Sequence, residues 1–404
     1  MTAPRSTRAR LLVAALGALF AFALGAVPAT AAAPILGNYI VVLRAGTAEP
    51  AAVARQQVGR LGGSLGFVYT HALSGYSARL PVDAIGTLAA DSRVASIEVD
   101  GIMRADTTQT GATWGLDRID QTARPVDGTY TYTGTGSGVK AYIIDTGIHF
   151  SHSDFGGRAI RGTDTVTAGG LGVGLLGGSG GGSTNGEDCN GHGTHVSGTV
   201  GGATYGVAKQ VTLVAVRVLD CSGSGATSGV VAGVDWVTGN HAAGQPAVAN
   251  MSLGGGASAA LDTAVQNSIN DGVAYGIAAG NGNQLGMAQD ACGTSPARVP
   301  AAMTIGATDA NDVKASWSNY GSCVDWFAPG VNITSDWYSS DTATNTISGT
   351  SMATPHTVGV AALYFATHPT FTPAQVRDGL YNLTTKGIVT SSSTANNHLL
   401  FTNL

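Results

Sequence analysis

From Lys140 onward two kinds of segment alternate, and no other feature constrains the fold of this chain as much. Lys140 to Ile144, Val211 to Val216, Ala247 to Met251, Val273 to Ala278 and Met303 to Ile305 are short, nearly continuous apolar runs rich in β-branched residues. Between and after them lie stretches with helical spacing: His192 to Gly201, Ser228 to Asn240, Ser258 to Asn270, Thr350 to His368 and Thr372 to Leu383. A strand that is apolar on both sides must be covered on both faces, and parallel strands need a long crossover, usually a helix. The alternation therefore predicts an α/β fold, a mostly parallel sheet with helices on both faces. Ligands in such sheets collect beyond the carboxyl ends of the strands. Asp145 and Asn281 both stand just past such ends.

Residues 34–106 read as a separate small unit. Asn38 to Leu43 alternates as a strand, Ala51 to Leu61 has helical spacing, Gly66 to Tyr69 and Tyr76 to Leu80 read as strands, Val82 to Ala90 as a helix and Val94 to Val99 as a strand. The order β-α-β-β-α-β is the split βαβ pattern of a ferredoxin-like α+β domain. A unit of about 70 residues buries a marginal core by itself and is expected to dock on something larger. Ahead of it, Arg5, Arg8 and Arg10 precede the apolar run Leu11 to Leu24 and the small residues Ala29-Thr30-Ala31. That is the layout of a signal peptide over residues 1–31, which predicts a secreted, extracellular product. No second apolar stretch approaches about 18 residues, so no stable membrane insertion is expected.

All four cysteines, Cys189, Cys221, Cys292 and Cys323, lie beyond the signal. An even number in an exported chain predicts two disulfides, in any of three pairings. Up to Asp106 nine basic side chains face six acidic ones; from Thr107 onward the numbers are eleven and nineteen. That mildly acidic second part carries no nucleic-acid footprint. Residues 168–186 are rich in Gly and Ser, without period, and read as a surface loop. They lack the Lys-Ser/Thr pair of a phosphate-cradling loop.

Three stretches carry the chemistry: Tyr142-Ile143-Ile144-Asp145-Thr146-Gly147, Asn190-Gly191-His192-Gly193-Thr194-His195 and Gly349-Thr350-Ser351-Met352-Ala353-Thr354-Pro355. A serine hydroxyl is a poor nucleophile until a base takes its proton and a carboxylate orients that base. Asp, then His, then Ser is one of the chain orders in which this device has arisen. His192 and His195 share a helix face, but zinc helices of the peptidase kind need four-residue spacing and a glutamate. His192 is therefore read as the base and His195 as packed inside. Asp145 by itself fits a strand-end turn equally well. Ser351, at a helix start after Gly349, sits where unpaired N–H groups and the dipole favour a forming oxyanion. A plain N-cap is the rival role for it. Asn281, in Gly280-Asn281-Gly282, reads on bare sequence as turn chemistry rather than as an oxyanion donor.

Together with Trp114-Gly115-Leu116-Asp117, Val216-Arg217-Val218-Leu219-Asp220, Asn250-Met251-Ser252-Leu253-Gly254-Gly255 and Ser318-Asn319-Tyr320-Gly321, these motifs closely resemble the subtilisin-like serine proteases, or subtilases. Within them the likeness is to the proteinase K-like branch and its aqualysin-like enzymes. It covers essentially all of 107–404, and residues 34–106 resemble the family's inhibitory propeptide. The resemblance implies a serine endopeptidase acting on polypeptide substrates, with Asp145, His192 and Ser351 as the triad and Asn281 as an oxyanion donor, reversing the bare-sequence preference. It implies that Gly223, Ser224 and Gly225 and Ser252, Leu253 and Gly254 clasp an extended peptide between them, and that Ala278, Ala279 and Gly280 wall the first side-chain pocket. It implies the pairings Cys189–Cys221 and Cys292–Cys323. It implies structural calcium held by Asp325 with the carbonyls of Pro300 and Ala302, and a second ion near Asp117, Asp120, Gln121 and Asp127. The prosegment is expected to inhibit the enzyme, aid its folding and be removed by self-processing near Asp106/Thr107, leaving a monomer. Two departures from the family pattern stand out: Thr357 in place of the usual valine, and the length of the Gly/Ser stretch before Cys189.

Overall fold

The structure is a computed structural model that describes residues 36–100, 107–166 and 185–404. The signal peptide, Asp106 at the processing junction and residues 168–184 of the Gly/Ser stretch lie outside the described residues. The chain divides into two compact units, Met1–Met103 and Arg104–Leu404.

In the first unit β1 (Leu36–Leu43), α1 (Pro50–Arg60), β2 (Ser64–Tyr69), β3 (Gly75–Pro81), α2 (Ile85–Ala89) and β4 (Val94–Val99) follow one another. The four strands form one antiparallel sheet in the order β2-β3-β1-β4. Val41, Leu43, Tyr76, Ala78 and Leu80 of the sheet bury against Ala54, Val58 and Leu88 of the helices.

The second unit is built on seven strands: β5 (Lys140–Asp145), β6 (Ala159–Asp164), β7 (Thr212–Arg217), β8 (Ala247–Met251), β9 (Val273–Ala278), β10 (Met303–Thr308) and β11 (Trp326–Pro329). They pair in the order β11-β10-β9-β8-β5-β7-β6, every pair parallel. Its longer helices are α3 (His192–Gly201), α4 (Thr227–Asn240), α5 (Ala259–Asp271), α6 (Thr350–Thr367) and α7 (Pro373–Leu383). All five apolar runs are strands and all five helical stretches are helices.

The period of two along β5 sorts its side chains into two cores. Ala141 and Ile143 pack with Val196 and Val200 of α3 and Val358 and Ala361 of α6. Tyr142 and Ile144 pack with Val234 and Val237 of α4 and Val265 and Ile269 of α5. Both faces of the sheet are covered, as near-continuous apolar strands require. Helix α6 is buried over most of its length. It comes so close to the sheet that a Cβ on Gly276 of β9 would stand 2.5 Å from Val358 Cγ2. Thr357, which places a hydroxyl in this helix, accepts a hydrogen bond from the buried Trp326 indole N–H at 3.1 Å. The hydroxyl is therefore satisfied rather than stranded.

Sequence reasoning missed the two edge strands. β6 buries only Ala159 and so lacks an apolar run. β11 is four residues long and ends in Pro329, a residue that sheets tolerate at an edge.

One buried group is left in an unfavourable state. Asp336 is fully buried, and neither carboxylate oxygen has a hydrogen-bond partner among the described residues. Burial, reinforced by the neighbouring Asp154 charge, pushes its pKa up to about 8, with Arg158 pulling the other way. The folded state thus keeps a proton that the unfolded chain releases above about pH 4. Folding stability is lost progressively as pH rises from about 4 to 8 and is flat beyond. Asp336→Asn, which keeps a donor facing Asp154, is expected to raise Tm, with no gain near pH 4 and the full gain, a few kcal/mol in order of magnitude, at pH 8 and above. Thermal melts of both proteins across that range check it; a gain independent of pH would refute the account.

Candidate active site

The strand order reverses at β5: the chain first adds β6 and β7 on one side, then returns to add β8 on the other. Ligands bind at such a switch point, past the carboxyl ends of the strands. Asp145 is the last residue of β5. It is fully buried, and its Oδ1 accepts from the Thr146 N–H and from His192 Nδ1, both at 2.8 Å. A buried carboxylate with such partners orients an imidazole and stabilises its charged form.

His192 is the first residue of α3 and keeps a quarter of its side chain exposed. Gly191 makes the turn into the helix with φ 108°, and any side chain there would run into the Trp337 ring at 2.5 Å. Burial alone lowers the His192 pKa. The Asp145 charge and hydrogen bond, with a contribution from Asp188, outweigh it, and the net shift is upward. His195, on the same helix, is fully buried with Nε2 on the Ile333 carbonyl at 3.0 Å. Burial pushes its pKa down to about 3, so it stays neutral.

Ser351 is the second residue of α6 and 9% exposed. Pro355 lies one turn further on and has no N–H to give the Ser351 carbonyl. Ser252 Oγ supplies the missing bond at 2.8 Å, and Ser351 Oγ in turn donates to the Ser252 carbonyl at 3.1 Å. The hydroxyl is thus held by Ser252 rather than by His192, and it must leave that carbonyl before its proton can pass to the imidazole. Such links often tighten only once substrate is bound. Ser252 lines the same cleft as His192, which places the serine and the imidazole at one site.

Asn281 is exposed, and its Oδ1 accepts from both the Thr350 N–H and the Thr350 hydroxyl at 2.8 Å. These two bonds fix which end of the amide is which. Nδ2 is left with no acceptor among the described residues, and so is the Ser351 N–H at the helix start. A Cβ placed on Gly349 would lie 3.5 Å from both Asn281 Nδ2 and Ser351 N, so the two unspent donors reach a common point. Preorganised donors of this kind stabilise a developing oxyanion.

The cleft has a volume of about 480 Å³. Gly223, Ser224 and Gly225 lie along it, as do Ser252, Leu253 and Gly254, and Leu219, Val230 and Leu261 supply an apolar part of an otherwise polar lining. Neither segment is paired with a strand of the main sheet. Ala279 and Gly280 do not line it. Ala279 is fully buried because its N–H extends the β9–β10 ladder to the Ile305 carbonyl at 3.0 Å, and Gly280 N–H is held by Thr350 Oγ1 at 3.1 Å. Disulfides join Cys189 to Cys221 and Cys292 to Cys323. The first ties the turn before His192 to the loop that carries Gly223–Gly225.

The two expected calcium sites differ. Asp325 Oδ1 accepts from Arg377 Nη2 and Oδ2 from the Thr304 N–H at 2.8 Å. That is the setting of an ion pair, and it does not fit a cation held with the Pro300 and Ala302 carbonyls. Among the described residues no three His, Cys, Asp or Glu side chains already form a metal cage. At the other site, however, Asp120 Oδ1 is buried without a partner. Burial pushes the Asp120 pKa up to about 6; the Thr131 N–H bond opposes this, and the Asp117 and Asp127 charges add to it. Three crowded carboxylates and an unspent oxygen fit a hard cation.

Sequence reasoning missed three supporting residues: Ser252 as partner of Ser351, Thr350 as clamp on Asn281, and Asp188 behind His192. Only Asp188 left a local signal, a carboxylate four residues before a helix start, where backbone N–H groups need acceptors.

Residues 136–400 match the model of the subtilase family of peptidases. The chain is 53% identical to an extracellular serine proteinase of Thermus sp. (strain Rt41A), over 91% of this chain and 85% of that one. It is 46% identical to alkaline serine exoprotease A of Vibrio alginolyticus, over 91% of this chain and 67% of that one. The crystal structure of a cold adapted subtilisin-like serine proteinase superposes with a TM-score of 0.66 at 50% identity, covering 73% of this chain and all of the other. Among the described residues no helix is long and apolar enough to cross a membrane. The chain belongs to the subtilase family of serine proteinases.

Proposed function

We propose that this subtilase is a secreted endopeptidase made as a self-processing pre-pro-enzyme, and that Asp145, His192, Ser351 and Asn281 carry its chemistry. The observation that supports the site most directly is the pair of unspent donors, Asn281 Nδ2 and Ser351 N, beside a serine whose neighbouring imidazole is already fixed by a buried carboxylate. Ser351 Oγ attacks the peptide carbonyl while His192 Nε2 takes its proton. The carbonyl oxygen becomes an oxyanion between the two donors. His192 then protonates the leaving amine, an acyl-enzyme remains, and water releases it by the same steps in reverse. The unpaired segments at 223–225 and 252–254 hold the substrate by its main chain, as an added strand. Leu219, Val230 and Leu261, the apolar part of the lining, accept an apolar side chain.

Treatment with a serine-directed organofluorophosphate followed by peptide mapping tests the assignment: one label per chain, on Ser351, is expected, and a label elsewhere or none refutes it. Asn281→Ala is expected to lower kcat by about 10²–10³-fold with little change in KM. Steady-state kinetics on one peptide substrate decides; an equal loss in KM alone would make Asn281 a binding residue instead.

The prosegment proposal places residues 34–106 as inhibitor and folding aid, released by a cut near Asp106/Thr107. Ser351→Ala should accumulate as the uncut precursor. Calcium is proposed at Asp117, Asp120, Gln121 and Asp127, where it would neutralise crowded carboxylates and stabilise the fold. Added calcium should raise Tm and a chelator lower it, and Asp120→Ala should abolish that response. A calcium response that survives Asp120→Ala would place the ion elsewhere.

A further inference from the structure

Asp188 is buried, and its two oxygens accept five hydrogen bonds. Oδ1 takes the Thr146 hydroxyl at 2.9 Å and the N–H groups of Asn190 and Gly191 at 2.9 and 3.0 Å. Oδ2 takes the Thr194 N–H and hydroxyl at 2.9 and 2.6 Å. Thr146 Oγ1 also accepts from the Gly193 N–H at 2.8 Å. One carboxylate thus fastens the residue after Asp145 to the backbone on both sides of His192. Those are the two ends whose separation sets the 2.8 Å link between Asp145 and the imidazole.

All five donors are uncharged. The charged and titratable groups around the junction have other engagements. Arg217 bonds the Thr146 carbonyl through Nε and Asp164 through Nη1. His149 bonds Glu187, and His195 is held by the Ile333 carbonyl. No described cation is hydrogen-bonded to the Asp188 carboxylate, which stands at the positive end of the α3 dipole.

We propose that Asp188 is a second carboxylate of the catalytic apparatus, a positioning residue that sets the Asp145–His192 geometry and adds negative charge behind the imidazole. The inference rests on the reading of His192 as the general base. The upward shift of the His192 pKa, to which the Asp188 charge contributes, agrees with it. Two effects are combined here, and the acid limb tells them apart. Asp188→Asn removes the charge and, by turning one accepting oxygen into an N–H₂, also breaks part of the clamp. Thr146→Val keeps the charge and cuts the link between Asp188 and Gly193.

The test uses the mature enzyme and measures kcat, KM, the acid limb of the kcat/KM profile and organofluorophosphate labelling stoichiometry for wild type and both variants. Asp188→Asn is expected to lower kcat by about tenfold or more, leave KM within about twofold, and move the acid limb to lower pH. Thr146→Val is expected to lower kcat without moving that limb. An unmoved acid limb in a folded, labelled Asp188→Asn enzyme overturns the proposal, as does an unchanged kcat in both variants. If Asp188→Asn fails to fold, Asp188→Glu takes its place: a kcat deficit with an unmoved acid limb is expected, and an unchanged kcat or a shifted limb refutes the role. Wild-type enzyme that takes no label at Ser351 would instead sink the triad reading itself.

Discussion

Ser351→Ala will give a folded protein whose kcat on a peptide substrate is lower by about 10⁶-fold. This hydroxyl is the proposed nucleophile, and removing it leaves substrate binding and the two oxyanion donors in place. Residual turnover of about 10³–10⁴ over the uncatalysed reaction is therefore expected, with KM close to that of the parent. The fold should survive the change. The methyl of alanine fits the space of the hydroxymethyl, and the Ser351 carbonyl keeps its bond from Ser252 Oγ at 2.8 Å. Kinetics on the variant freed of residues 34–106 by a protease added in trans and then removed, with thermal melts to confirm folding, measures both. A loss of less than about 10²-fold would show that the nucleophile is another group.

Asp145→Asn will cost about 10⁴-fold in kcat. In the parent, one oxygen accepts from both Thr146 N–H and His192 Nδ1, so the ring proton sits on Nδ1 and Nε2 is free to receive the serine proton. An asparagine that turns its N–H₂ toward the ring in place of Oδ1 forces Nδ1 to accept, so the proton moves to Nε2 and the base is presented in the wrong tautomer; one that keeps its oxygen there retains both bonds. The negative charge that stabilised the imidazolium is lost at the same time. Combining the change with Ser351→Ala should cost no more than Ser351→Ala alone, because the triad acts as a unit. Additive losses in the double variant would mean that Asp145 works through something other than His192.

Much of the site was legible from residue types in local context. A strand that ends in Asp145, a helix that begins at His192 after Gly191 and a helix that begins at Ser351 after Gly349 are each written in neighbouring residues, and each sits where it was expected. What surrounds them was not legible. Ser252 and Ser351 are 99 residues apart, and nothing local to Ser252 announces that it repairs the carbonyl freed by Pro355. Thr350 reaches Asn281 across 69 residues, and this contact turns a residue that reads as a turn former into a presented amide donor. One further ladder bond, from the Ala279 N–H to the Ile305 carbonyl, carries the chain inward past the end of the apolar run. Asp325, expected to hold calcium, is paired with Arg377, 52 residues away, which nothing near it in the chain announces.

The sequence by itself determined five of the sheet's seven strands, the helices that cover it and the candidates for the reacting groups. Periodicity, capping and the chemistry of a side chain are properties of residues close together along the chain. Only the tertiary structure decided which donors meet which acceptors: the amide end that Asn281 turns outward, the five bonds that converge on Asp188 and the Asp336 carboxyl, which takes no hydrogen bond among the described residues. A hydrogen bond depends on distances of a few tenths of an ångström between groups that the chain order does not relate, and packing the two cores against the sheet is what sets those distances.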